Sequence, residues 1–217
     1  LFCLFLLATL IHCSCRLHEE RSETPPASQP ASSQPVRAGS PLADHVRFAF
    51  AVYFLPQPAG DAVQVARDVV SSGFPEVKTV DDIPESPEGI RLHLRLIEDP
   101  GKEYAPPGMT MCQYFGRGLT REQAESLQKT ERALLMVFAY PRESVLPGLR
   151  AANAIASRVA RKTGGLVWDE ETREVFTPDA WDAKRIGSGS EGVPDVANHT
   201  VIHAYQNGEY TRAVTLG

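Results

Sequence analysis

Apolar residues recur along this chain at two periods, and each period marks a kind of element. Leu149, Ala152, Asn153, Ala156, Val159 and Ala160 fall at i, i+3, i+4 and i+7, the spacing that lines one face of an α-helix. Small residues dominate that face, so a sheet can approach it closely. Arg158, Arg161 and Lys162 follow in the last turns, where cations offset the negative end of the helix dipole. Gly164 then suits the left-handed position that ends many helices. Leu166-Val167-Trp168 and Glu174-Val175-Phe176, separated by polar residues, predict a hairpin. Thr177-Pro178-Asp179 supplies an N-cap, a proline at the first helical position and an early acid, so a helix starts there.

The same reading extends in both directions. Residues 46–55 (VRFAFAVYFL) are aromatic and β-branched and predict a strand stopped by Pro56. Ala62, Val65, Ala66, Val69 and Val70 have helical spacing and end at Gly73. Residues 74–89 read as a loop with a short strand at 77–80. Ile90, Leu92, Leu94 and Leu96 alternate with Arg91, His93 and Arg95, as in a half-exposed antiparallel strand. Residues 104–118 are rich in Pro and Gly and read as a loop anchored by Met109, Met111, Tyr114 and Phe115. Thr120 to Gln123 form a capping box, and ALLMVFAY at 133–140 is the most buried strand. Residues 182–198 are irregular. Residues 200–205 and 209–216 flank Asn207-Gly208, a strong hairpin signal.

This order predicts an α+β fold with a mainly antiparallel sheet, helices packed on one face and ferredoxin-like connectivity at its start. The domain spans residues 44–217. Leu1 in place of Met and the strand-like end VTLG read as a chain continuing at both ends.

Composition adds little beyond this. Of the 217 residues, 42% are hydrophobic and 23% charged, with a formal net charge of -5, so no basic face argues for nucleic acid. Residues 16–43 are rich in Pro, Ser, Ala and Gln without an apolar period and predict a disordered tether. Residues 1–15 contain LFCLFLLATLI, shorter than the ~20 residues that span a bilayer but suited to the core of a signal peptide. The following His12-Cys13-Ser14-Cys15 resembles the cleavage box of bacterial lipoproteins, which implies Cys15 or Cys13 as the lipidated residue. His12 stands where that pattern prefers Leu. The chain is read as exported and lipid-anchored in the envelope, or else periplasmic or secreted. It is cytoplasmic if the apolar run is an artefact of gene-start choice. Cys112 stands outside this leader, so no disulfide framework is expected.

Few residues suggest chemistry. With Asn207-Gly208 as a two-residue turn, Tyr205 faces Tyr210, His203 faces Arg212 and Val201 faces Val214. His203 and Arg212 would then form a polar pair able to contact an anion. Trp168 is expected in the core against Ala152, Ala156 and Val159. The acids Asp169, Glu170, Glu171, Asp179 and Asp182 lack the pattern of a calcium loop and read as a solvated hairpin tip. His199 and His203 have metal-ligand spacing, but on a strand they would lie ~13 Å apart. No metal, no cofactor and no catalytic motif is expected.

Gly164-Gly165-Leu166-Val167-Trp168-Asp169, Ile202-His203-Ala204-Tyr205 and Thr215-Leu216-Gly217 together resemble an uncharacterised bacterial domain family, over residues 48–217. The resemblance implies no activity. The resulting expectation is a non-enzymatic envelope domain that binds a protein or peptide partner, with His203, Arg212, Trp168 and Asp169 as candidate contacts. The alternative is a small hydrolase or transferase using His203, Arg212 and an acid such as Asp169.

Overall fold

The structure, a computed structural model, describes residues 43–55, 60–187, 189 and 193–217, with the backbone alone for Tyr205 and Asn207. The leader, Cys13, Cys15 and all but the last residue of the tether lie outside the described residues.

Strand β1 (His45–Tyr53) leads into α1 (Ala62–Gly73). The helix begins where the Asp61 carboxylate accepts the Gln64 N–H at 3.0 Å. Strands β2 (Lys78–Val80) and β3 (Arg91–Ile97) follow. Next come three short helices and one short strand: α2 (Pro100–Glu103), α3 (Met109–Phe115), β4 (Gly116–Arg117) and α4 (Arg121–Leu127). The capping box of α4 forms as its residues predict. Thr120 Oγ1 accepts the Gln123 N–H at 3.2 Å, and the Gln123 side chain accepts the Thr120 N–H at 2.9 Å.

Strand β5 (Ala133–Pro141) precedes the long helix α5 (Val145–Thr163). Gly164 ends that helix with φ 66, in the left-handed region open to glycine. The hairpin β6 (Leu166–Asp169) and β7 (Glu174–Phe176) leads into α6 (Pro178–Trp181), capped by Thr177. A π-helical turn, Asp182–Ile186, extends α6. Strands β8 (Val201–Asn207) and β9 (Tyr210–Leu216) end the described chain.

Seven strands form one sheet in the order β2-β3-β5-β1-β6-β7-β4. Within it, β3, β5, β1 and β6 are neighbours and all antiparallel, with α1 and α5 as the two crossovers. That is ferredoxin-like connectivity, and the fold is α+β. The sheet is mixed, because β2 and β4 join at its edges in parallel.

The two long helices share one face, where Phe50, Val52, Met136, Phe138, Val167 and Trp181 form the larger core with Ala152, Ala156 and Val159. The opposite face is also covered. Tyr53, Leu135, Leu166 and Val175 pack there against Cys112, Ala124 and Leu127 from α3 and α4. Residues 104–118, expected as a loop, supply α3 for this second layer. Their apolar anchors repay helix formation only once packed against the sheet.

Small side chains let α5 sit close. Ala152, Ala156 and Ala160 are fully buried. A methyl added at Gly148 would stand 2.8 Å from Cγ of Tyr140 and closer still to two other ring carbons.

Trp168 corrects its expectation. It is half-buried and belongs to the second layer, away from α5. Side chains alternate across a strand, so Val167 takes the helix-facing position and Leu166 and Trp168 face the other way. Trp181 fills the place against α5 instead. It is fully buried, with its indole N–H donating to the Asn153 carbonyl at 3.0 Å.

Candidate functional site

The β6–β7 hairpin is the floor of the region where most sequence-predicted site residues gather. Asp169 ends β6 and organises the turn. Its Oδ1 accepts the backbone N–H groups of Glu171 and Thr172 at 3.1 and 3.2 Å, as aspartate often does in turns. Arg173 then takes a positive φ of 56. Asp169 is 4% exposed, so the reading of the acids as one solvated tip is corrected for this residue. It pairs with Phe50 across the ladder and shares that residue's helix-facing side.

A cation buried against it explains the burial. Arg185 Nη2 donates to Asp169 Oδ2 at 2.8 Å, to Glu174 Oε2 at 3.0 Å and to Thr172 Oγ1 at 3.1 Å. Arg117 closes the other side of Glu174, at 2.5 Å from Oε1. Two cations and two carboxylates therefore alternate, Arg117–Glu174–Arg185–Asp169. The Arg185 guanidinium lies 4.8 Å above the Phe176 ring and 5.6 Å from the Trp181 ring, within cation–π range. The π turn delivers it there, and such turns recur at functional positions.

The sequence reading missed Arg185, Thr172 and Glu174 as partners of Asp169. The available signal was the i, i+4 spacing of Arg185 and Trp181, which puts both on one helix face.

The terminal hairpin stands on this floor. The ring of His203 stacks on Phe115, with centroids 3.8 Å apart and planes 9° from parallel. Its Nε2 is 3.0 Å from the Thr172 carbonyl oxygen, so that nitrogen carries the proton and donates. Val201, His203, Val214 and Leu216 form the half-buried face of the hairpin. The other face carries Ile202, Ala204, Ala213 and Thr215 and is exposed.

The register differs from the expected one. His203 pairs with Val214, and Arg212 pairs with Tyr205. The two-residue turn is Gly208-Glu209 rather than Asn207-Gly208, and Gly208 takes φ 63. A glycine at the first central position is the requirement of a type II′ turn. The shift is by two residues, so each side chain keeps its face while its partner changes. His203 and Arg212 share a face without being directly opposed.

His203, Arg212 and Asp169 are thus brought to one region without converging. Asp169 is bound to Arg185 below, His203 is bound to the turn and to Phe115, and Arg212 is exposed further out on β9. Trp168 lies on the opposite side of the sheet. There the Tyr104 hydroxyl donates to Glu170 Oε2 at 2.5 Å. Burial and then Glu170 push the Tyr104 phenol above its ordinary range. Among the described residues, no three His, Cys, Asp or Glu side chains converge to hold a metal, and no helix is long and apolar enough to cross a membrane.

What this region offers chemically is a ribbon on a rigid base. Among the described residues, β8 and β9 have no third strand beside them. Ile202 is 66% exposed and Tyr210 is 78% exposed. Compared with protein-family models, curated proteins and solved structures, the chain has no match, so the functional reading rests on this geometry.

Proposed function

We propose that this chain is a non-enzymatic binding domain that holds a protein or peptide partner in extended form along the β8–β9 hairpin. The observation that carries the reading is the hairpin itself. Among the described residues it is a separate two-stranded sheet with no strand along either edge, anchored through His203 and exposing Ile202 and Tyr210. A two-stranded ribbon is marginal alone, and an unpaired edge is a ready template for another strand. Asp169 and His203 are both engaged within the fold, which favours binding over hydrolysis or group transfer at these residues. The apolar leader and the Pro/Ser-rich tether support export to the bacterial envelope, with Cys15 or Cys13 as the lipid anchor.

Selection of displayed eight-residue peptides against the domain tests the binding reading. Selected peptides should shift the amide resonances of β8 or β9. They should lose at least tenfold in affinity to Ile202→Lys and when their backbone is N-methylated at alternate positions. Peptides that bind elsewhere, or that tolerate N-methylation, would reject strand addition. Mass spectrometry of the mature N-terminus tests the anchor, with a diacylglyceryl-modified cysteine as the expected result.

A further inference from the structure

The helix-facing layer holds a cavity of about 280 Å³ where the start of β1, the end of β5 and the start of α5 meet the β6–β7 turn. Phe48, Tyr140, Val145 and Leu149 line its apolar end, and Glu171, Thr172 and His199 its polar end. Ligand pockets usually run to ~300–1,000 Å³, so this one suits a single ring or a branched chain rather than a nucleotide.

The polar end determines what head group can enter. The Thr172 carbonyl accepts from His203 and its hydroxyl oxygen accepts from Arg185, which leaves the hydroxyl hydrogen to donate. Both oxygens of Asp169 are committed as well. Two acceptors are left for a ligand beside the Thr172 hydroxyl. His199 Nε2 is buried without a hydrogen-bond partner, an unusual state for a buried polar atom. Glu171 offers a carboxylate at the exposed rim. Burial, first, and the neighbouring charge of Arg185 hold the His199 imidazole below its ordinary range, which keeps it neutral and able to accept. An anion would meet the Glu171 charge, since that of Asp169 is paired with Arg185. Arg47 also borders the cavity and is exposed. Its side chain starts from the opposite side of β1 to Val46 and Phe48, because strand side chains alternate.

We propose that this cavity binds a small apolar primary amine, with its hydrocarbon body between Phe48, Tyr140 and Leu149 and its ammonium between Glu171 and His199. An ammonium brings three donors, which the Glu171 carboxylate and the unpartnered His199 Nε2 can accept. The site is independent of strand addition at the hairpin edge.

Titration of the folded domain with phenethylamine, followed by NMR, tests the assignment. The His199 ring and Glu171 amide signals should shift saturably. 2-Phenylethanol, with the same body and no charge, should bind at least fivefold more weakly, and so should phenethylamine to Glu171→Gln. Leu149→Trp, which fills the apolar end, should abolish binding while retaining the native near-ultraviolet dichroism. If that variant does not fold, the alcohol comparison and Glu171→Gln still decide the matter. Hydrocinnamate binding as tightly as the amine would overturn the ammonium assignment. The absence of saturable His199 shifts, or equal affinity in Glu171→Gln, would overturn the site.

Discussion

The indole N–H of Trp181 donates to the backbone carbonyl of Asn153 across 28 positions of sequence, at 3.0 Å. The bond ties α6 to the middle of α5. It also sets the π turn so that Arg185 enters the core beneath β6 and β7. The Asn153 side-chain amide reinforces the junction by donating to the Arg185 carbonyl at 3.3 Å.

The two tryptophans should therefore differ sharply in their effect on stability. Trp181 is fully buried between Phe50 and Phe176, with ring centroids at 4.9 and 5.2 Å. Trp181→Ala should cost ~3–5 kcal/mol, a large part of the ~5–15 kcal/mol that holds a typical domain together. Trp168→Ala, at a half-exposed position, should cost ~1–2 kcal/mol. Urea unfolding of both variants measures the difference, and equal losses would contradict the layer assignment.

Arg185 should be intolerant of replacement by an apolar residue of similar length. Arg185→Met leaves Asp169 and Glu174, both nearly fully buried, without the cation between them. Removing one partner of a buried ion pair costs ~3–5 kcal/mol. The triple variant Arg185→Met, Asp169→Asn, Glu174→Gln should recover part of that loss, because it removes the stranded charges. Chemical denaturation at neutral pH reads both.

His199 and Glu171 should give the stability a pH dependence of opposite signs. The folded-state pKa of His199 lies below its unfolded value of ~6.5. The stability it contributes is fully present above ~6.5 and is lost as the pH falls through the folded pKa. Glu171 is raised, first by burial and then by Asp169 and Glu170. Its contribution is fully present below the unfolded carboxylate value of ~4.3 and is lost as the pH rises through the folded pKa. Between pH 7.5 and 5.5, His199→Gln should lose less stability than the parent. Glu171→Gln should gain stability at pH 7.5 relative to its effect at pH 4. Melting temperatures of the three proteins at those pH values check the signs.

Gly148 should resist alanine even though alanine is the better helix former. The gain in helix propensity is about 1 kcal/mol. The added methyl would collide with the Tyr140 ring, which is fixed in the core, and overpacking costs ~1–3 kcal/mol. Gly148→Ala should thus be neutral to destabilising by about 2 kcal/mol. Thermal unfolding of the double variant Gly148→Ala, Tyr140→Leu, in which the ring is gone, should show the alanine as stabilising relative to Tyr140→Leu alone.

Most of the elements were legible in the amino-acid sequence because their causes are local, whereas α3 and the π turn, in stretches read as loop and irregular, were not. The Thr120–Gln123 box, the Thr177-Pro178 start and the Gly164 stop each depend on atoms within a few residues, and each forms as read. The continuous apolar run at β5 likewise fixes a central strand whatever surrounds it. What the sequence left open are relations between distant parts. Whether Trp168 or Trp181 meets α5 depends on which side of the sheet that helix covers. The Asn-Gly-Glu stretch allows two turns that keep every side chain on its face, so the hydrophobic pattern cannot choose between them. In the folded protein, Gly208 at the first turn position is accompanied by the docking of His203 on Phe115 and Thr172. Asp169 reads as a surface acid until Arg185 arrives from 16 residues away. A lone buried carboxylate is too costly to expect, and the cation that makes its burial possible is brought there by tertiary packing alone.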